Sequence, residues 1–561
     1  MEWQIRFFRQ NLLLWIAFIS LTGILAAQDF PLLPVINSQT AKGDLYFLAS
    51  RELQGREAGL PGGHTAGAFL ASRLLGLGLE PITQRDSVEL LENYYQYFQI
   101  VGMVPNQLAI SFNVSGKNGT YQAELGKDFI YLFNSPAKVH YQGKAVFAGY
   151  DIFAPEYHYN DFAHRQCQGK ILVAFYGEPL EKDTLVFFNG KHQTVHSLII
   201  QKARTAAKAG ARAVVLIPSP ENRDKLTRFL KRWQGRLNQK QFTLKEEPGV
   251  PVILLTPEFA GKILGDWVEK NFQSNLTDLR KWLNQSDQKE FSWKGSHFPE
   301  FTWKLEIDYQ KEDVRQCRNV LAVLPGRNPD LRNQYILIGS HYDHEGVREE
   351  GIYRGADDNA SGDVANLSVA RAYAHLKTEQ RPERSILFAF WDAEEKGMLG
   401  SLYFTDHPLI PLKQIKTAIN MDMVGRDASF SFMALRRPMQ DEDAQNKVML
   451  LYSAQVPRME QLARQANDAV KLHLLFDPNV YFTSGSDHAN FQPHHVPVVY
   501  YFTGFHTDYT SPGDTPDKID YDKLARIARH IANFSYHLAN LKEYPVFDTS
   551  ILTAPEGDFR R

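Results

Sequence analysis

From Asn319 onward the chain alternates short apolar runs with segments of helical spacing, and few folds satisfy that alternation. Runs of strand type cover Tyr335 to Ile338, Ser385 to Trp391, Thr417 to Met421 and Val496 to Phe502. Between the first two, Asp363 to Lys377 places Val364, Leu367, Ala370 and Ala374 on one helix face. Strands regularly interrupted by helices predict an α/β fold with a mixed, mainly parallel sheet flanked by helices. In open sheets of this kind, sites form at the carboxyl ends of the strands.

Three of these strands end in residues able to hold a metal. His341 and Asp343 follow the first, Glu394 and Glu395 the second, and Asp422 the third. A glycine-bounded acidic loop, Gly355-Ala356-Asp357-Asp358-Asn359-Ala360-Ser361-Gly362, leads into the helix. One histidine and several carboxylates, without thiolate, suit a hard-to-borderline divalent ion, and zinc is favoured among the common candidates. A carboxylate on such a loop can bridge two ions about 3.5 to 4 Å apart. Of two adjacent glutamates, one can ligate while the other takes the proton from metal-activated water.

The 561 residues exceed the usual size of a single core, so two domains or a large domain with an insertion are expected. With 62 basic and 64 acidic residues, the chain has no electrostatic reason to bind nucleic acid. Arg6 and Arg9 precede an apolar run from Leu12 to Leu25 and the small residues Ala26-Ala27, which reads as a signal peptide over residues 1–27. A secreted or periplasmic protein with no stable membrane association after cleavage is expected; an uncleaved anchor is the alternative. Cys167 and Cys317 are too few for a disulfide framework or a thiolate metal site, and whether they pair is open.

Near the start, Ala41 to Glu80 reads as helix, loop and helix. The loop runs from Gly55 to Gly63, and the second helix from His64 to Leu75. Between Tyr141 and Thr256 a strand at Ile171 to Phe175, a helix from about Ser197 to Ala209 stopped by Gly210, and a strand at Ala213 to Ile217 form a unit without clustered ligands. It resembles the protease-associated domain through Gly169-Lys170-Ile171-Leu172-Val173 and Ala207-Lys208-Ala209-Gly210-Ala211; a structural insertion without binding role is the other reading. The expected organisation is therefore the signal, an N-terminal part of the main domain over 28–140, the insertion resembling a protease-associated domain over 141–256, the part of the main domain carrying the candidate ligands over 257–545 and a tail over 546–561.

From Asn319 to about Tyr521 the chain resembles the secreted co-catalytic zinc aminopeptidases and their carboxypeptidase relatives. Ser340-His341-Tyr342-Asp343, the Gly355 to Gly362 loop, Ala393-Glu394-Glu395-Lys396-Gly397 and Asn420-Met421-Asp422-Met423 carry the likeness, with Leu53-Gln54-Gly55-Arg56-Glu57 as an opening segment. The resemblance implies a zinc exopeptidase acting on peptide substrates. His341 and Asp422 would hold one zinc, Glu395 the other, and Asp358 would bridge them. Glu394 would be the general base, Asp343 would orient His341, and the peptide bond after Asp358 would be cis. Ser486 and Asp487 are expected to contact substrate or to cap a turn.

One position breaks the pattern. The family places its last zinc ligand as a histidine four residues before an aspartate, and before Asp514 that position is Thr510. Threonine is a weak zinc ligand, so the second of two expected ions is weakly held unless His506 or water completes it. His506 is thus read either as that ligand or as a nearby surface or substrate-contacting residue. His344 and Glu345 read as solvated loop residues, and Asp357 and Asp392 as loop caps. Two further functions stay open: a non-catalytic receptor with a degenerate metal site, and a single-zinc acyltransferase like the glutaminyl cyclases. Side-chain specificity, amino-end or carboxyl-end preference and oligomeric state are not encoded in these motifs.

Overall fold

The structure is a computed structural model and describes residues 30–548 except 32, 84–88, 106–107, 117–118, 164, 180–193, 218–232, 273–274, 277–299, 310–312, 428–446, 457 and 479–484. The expected signal peptide and the tail beyond 548 lie outside the described residues.

The largest sheet is built from β1 (Tyr95–Met103), β2 (Gln241–Leu244), β3 (Asp313–Leu324), β4 (Tyr335–His341), β5 (Ser385–Trp391), β6 (Ile415–Met421), β7 (Lys447–Tyr452), β8 (His473–Asp477) and β9 (Val498–Phe502). Their spatial order is β2-β1-β3-β5-β4-β6-β9-β7-β8, with a short strand, Glu80–Pro81, beside β3. The central strands β5, β4, β6 and β9 are parallel, while β1, β2 and β3 run antiparallel on one flank and β7 is antiparallel to β9 on the other. The expected mixed α/β sheet is therefore observed, with its parallel part at the centre.

The central strands are mainly apolar and buried because both of their faces are covered. Along β5, Ile386, Phe388 and Phe390 enter one core with residues of α1 (Ser38–Leu48), α2 (Pro61–Gly76), α4 (Gly362–Ala374) and α6 (Tyr521–Ala539), whereas Leu387, Ala389 and Trp391 enter the opposite core with Phe404 of α5 (Leu399–Asp406). The chain passes from β4 to β5 on one side and then to β6 on the other. That reversal opens a crevice at their carboxyl ends.

α2 begins at Pro61, so Gly62 and Gly63 belong to the helix instead of the expected loop. Proline is preorganised for a first helical position, and the two glycines let the helix lie against the preceding turn. A Cβ on Gly62 would overlap the Leu53 carbonyl, and one on Gly63 would sit 2.6 Å from the Glu57 oxygen. Gly62→Ala is therefore expected to cost about 1–3 kcal/mol through overpacking, read as a lower midpoint in urea unfolding.

The remaining strands form a second body. A five-stranded sheet contains Phe129–Tyr131, Val252–Leu255, Ala213–Ile217, Ile171–Phe175 and Ala145–Phe147, with α3 (Ile199–Lys208) ended by Gly210 at φ +78°. A four-stranded sheet joins Gly119–Ala123, Ala109–Gly116, Thr302–Asp308 and Val139–Gly143. Their common hydrophobic cluster runs from Val101 to Ile307 and so reaches beyond 141–256 on both sides. Backbone pairing and an ion-pair cluster are among the ties that join this body to the large sheet. β2 pairs with β1, and Arg204 of α3 bonds both Glu247 and Asp406 at the end of α5. Cys167 and Cys317 are buried, free and in different clusters. No helix among the described residues is long and apolar enough to cross a membrane.

Candidate metal centre

β4, β5 and β6 end at one rim, and their register brings His341 opposite Trp391 just before the glutamate pair. His341 is buried, with its Nε2 lying 3.4 Å from Asp422 Oδ1, 3.5 Å from Asp358 Oδ1 and 3.9 Å from Glu394 Oε2. That nitrogen makes no hydrogen bond in the protein.

The loop carrying Asp358 is fastened at both ends. Asp514 accepts hydrogen bonds from the amides of Asp357 and Asp358, and Asn359 bonds Met421 O and the Met423 amide on either side of Asp422. The Asp358–Asn359 peptide is cis, as the resemblance implies.

Two groups of potential ligands result: His341, Asp358 and Asp422; and His344, Asp358 and Glu395. Asp358 is common to both. Its Oδ1 faces His341, while its Oδ2 lies 3.9 Å from His344 Nδ1. In the second group His344 Nδ1 is 2.6 Å from Glu395 Oε1.

Burial and crowding of like charges set the electrostatics. Burial pushes Asp343, Asp358 and Glu394 well above the usual carboxylate range, against the pull of His341; neighbouring carboxylates add to the rise. Burial would also lower His341, but Asp422, Glu394 and Asp358 outweigh it and raise it well above its ordinary value. Glu395 goes the other way: burial acts upward, and the attraction of His344 overcomes it. An excess of buried carboxylates around an imidazole nitrogen without a hydrogen bond is what a divalent cation would neutralise. The all-nitrogen-and-oxygen donor set fits zinc.

Several expectations meet a different arrangement. The Asp343 carboxylate lies 3.8 Å from His341 Nδ1, which instead contacts the Asp343 backbone oxygen at 3.2 Å. Asp343 spends its oxygens on the amides of Glu394 and Glu395, so it holds the glutamate turn. His506 belongs to neither ligand group: its Nε2 is 3.3 Å from Asp357 Oδ2, and Arg426 contacts its Nδ1 at 3.1 Å. His506 Nε2 makes no hydrogen bond in the protein and faces Asp357, away from the two ligand groups.

His344 is fully buried, where the sequence reads as a solvated loop, because the opening segment covers it. The His344 amide donates to Arg56 O, and Glu57 bridges to it as a short parallel contact. Ser486 and Asp487 are also buried; Ser486 Oγ accepts from Asn420, and Asp487 Oδ1 accepts from Ser401. Asp357 and Asp392 accept backbone amides, as loop caps do.

Arg56 escaped the sequence reading as a functional residue. Its guanidinium donates to Tyr342 O, Leu48 O, Arg354 O and Gly355 O, clasping the backbone between His341 and Asp343 to the start of the Asp358 loop. The one signal for it is its place in the glycine-containing opening segment.

Residues 319–535 match the profile of Peptidase family M28. The chain is 27% identical over 205 residues to the Saccharomyces cerevisiae protein named Probable aminopeptidase YDR415C, covering 33% of this chain and 54% of that one. It is 36% identical over 119 residues to Aminopeptidase NAALADL1 of Rattus norvegicus, covering 20% and 15%. A solved aminopeptidase from Aneurinibacillus sp. strain AM-1 aligns over 93% of this chain and 98% of that one, with a TM-score of 0.47 and 19% identity. The chain thus spans about half the length of the yeast relative and a smaller share of the rat one. The segment 319–535, which matches the profile of Peptidase family M28, supplies every side chain of both ligand groups.

Proposed function

We propose that the protein is a zinc-dependent exopeptidase that removes residues from the amino end of peptides. The observation that carries this reading is the placement of Asp358, with one carboxylate oxygen facing each of two histidine-containing groups. His341, Asp358 and Asp422 would hold one ion, and Asp358 and Glu395 would take part in holding a second. Bound zinc would polarise the scissile carbonyl and acidify water.

The protein's own groups supply the remaining chemistry. Glu394 stands outside both ligand groups, with its carboxylate beside His341. Its raised proton affinity suits a group that takes a proton from the attacking water and passes it to the leaving amine. Asp343 fixes the backbone of the glutamate pair, so the base and the adjacent ligand keep their relative positions. Asp487 and Ser486 lie behind the rim and would shape the substrate side through Ser401 and Asn420.

The amino-end preference draws on the names of the yeast and rat relatives. Export is supported by the apolar run behind Arg6 and Arg9. The insertion over 141–256 is proposed as a protease-associated module. A degenerate receptor is disfavoured by retention of Glu394 beside His341, Asp358, Glu395 and Asp422, and a cyclase by the second group around Asp358.

The test is release of the first residue from a short peptide with a free or acetylated amino end. Release from the free form alone, lost after chelation and restored by zinc, is expected. Equal hydrolysis after complete metal removal, or release from the carboxyl end only, would overturn the reading.

A further inference from the structure

The second ligand group is incomplete at the place where the family's closing histidine is expected, because Thr510 stands there. His506, the nearest candidate along the chain, is held by Asp357 and Arg426. His344 stands beside the Glu395 and Asp358 carboxylates of that group. It follows His341 by three positions on the continuation of β4, and its Nδ1 reaches both Glu395 Oε1 and Asp358 Oδ2, at 2.6 and 3.9 Å.

The surroundings are shaped around this ring. Gly355 lies directly against it at φ +55°, and a Cβ there would sit 2.5 Å from His344 Cδ2 and 2.6 Å from Cγ. Glycine at 355 therefore leaves the ring its room. The ring's Nε2, also buried, has no hydrogen-bond partner in the protein. The contacts of the ring with Glu395 and Asp358 run through Nδ1, on the side where the two carboxylates meet.

We propose that His344 is the nitrogen ligand of the second metal position, together with Asp358 and Glu395, replacing the C-terminal histidine whose place Thr510 takes. The proposal rests on the zinc exopeptidase reading above and changes where the second centre is built. Both of its terminal ligands then come from the β4 and β5 rim, and the segment from His506 to Asp514 is left to brace the Asp358 loop.

Zinc per folded chain, isolated by size exclusion, separates the possibilities without relying on turnover. Two ions are expected for the unaltered protein and for His506→Gln, and one for His344→Gln. The second-site affinity should fall by more than the 10- to 100-fold that loss of a supporting hydrogen bond causes. His344→Cys, which offers a different zinc ligand, should hold two ions, and its cobalt(II) form should show a sulfur-to-metal charge-transfer band. Two ions at unchanged affinity in His344→Gln, a lost ion in His506→Gln, or no such band in folded, cobalt-loaded His344→Cys would each overturn the assignment. Fewer than two ions in the unaltered protein would instead overturn the two-centre reading on which it rests.

Discussion

Glu394→Gln is expected to lower kcat by about 10²–10⁴-fold, the usual worth of a positioned general base, while zinc content stays at the unaltered level. The reason is positional. Glu394 lies outside both ligand groups, and its backbone amide, bonded to Asp343, survives the substitution. An amide side chain keeps the volume and loses the ability to accept a proton. Glu395→Gln should show the opposite signature, with metal lost from the group that contains Glu395. Paired metal analysis and initial-rate measurements distinguish the two, and a Glu394→Gln enzyme with unaltered kcat would remove the residue from the chemistry.

Arg56→Met is expected to have the largest effect on stability. The guanidinium is wholly enclosed and serves four backbone carbonyls from three separate segments. Methionine roughly fills the space but removes the guanidinium from the Tyr342, Leu48 and Arg354 carbonyls, at about 1–3 kcal/mol each, while Gly355 O keeps the Ala360 amide. A loss of several kcal/mol compares with a total stability of about 5–15 kcal/mol for typical domains. At roughly 2–4 °C per kcal/mol for a large domain, the unfolding midpoint should drop by more than about 10 °C, or folded protein should fail to accumulate. Arg56→Lys, with three donors on a single nitrogen, should fall between. A melting curve for Arg56→Met within 2 °C of the unaltered protein, about the effect of a single kcal/mol, would show that the clasp carries little weight.

The strands and the α4 helix were readable because burial on both faces favours apolar runs, and the candidate ligands His341, Glu395 and Asp422 because each stands at or shortly after the end of such a strand. His341, Asp358, Glu394, Glu395 and Asp422 do converge there. What the sequence could not disclose depends on partners far along the chain. His344 looks like any polar residue after a strand until Arg56 and Glu57, nearly three hundred positions earlier, are laid over it. Asp343 sits at the distance expected of a residue orienting His341, yet side-chain direction sends its oxygens to the glutamate turn. His506 has the residue type of a ligand, and only the folded chain shows that it stands beside Arg426 and Asp357, outside both ligand groups. Gly62 and Gly63 suggest a loop by composition, and the close-lying Leu53 and Glu57 carbonyls explain why they are helical instead.

β2 belongs by chain position to the second body but completes the border of the large sheet, where it satisfies the outward backbone groups of β1. Excising that body at the loops around it would therefore strip β1 of its neighbour and leave a bare row of amides and carbonyls, the kind of edge that recruits other chains. A minimal peptidase carved from this protein would need either to keep Gln241–Leu244 or to place a charge or proline on β1, so the large sheet depends on a border strand supplied by the second body.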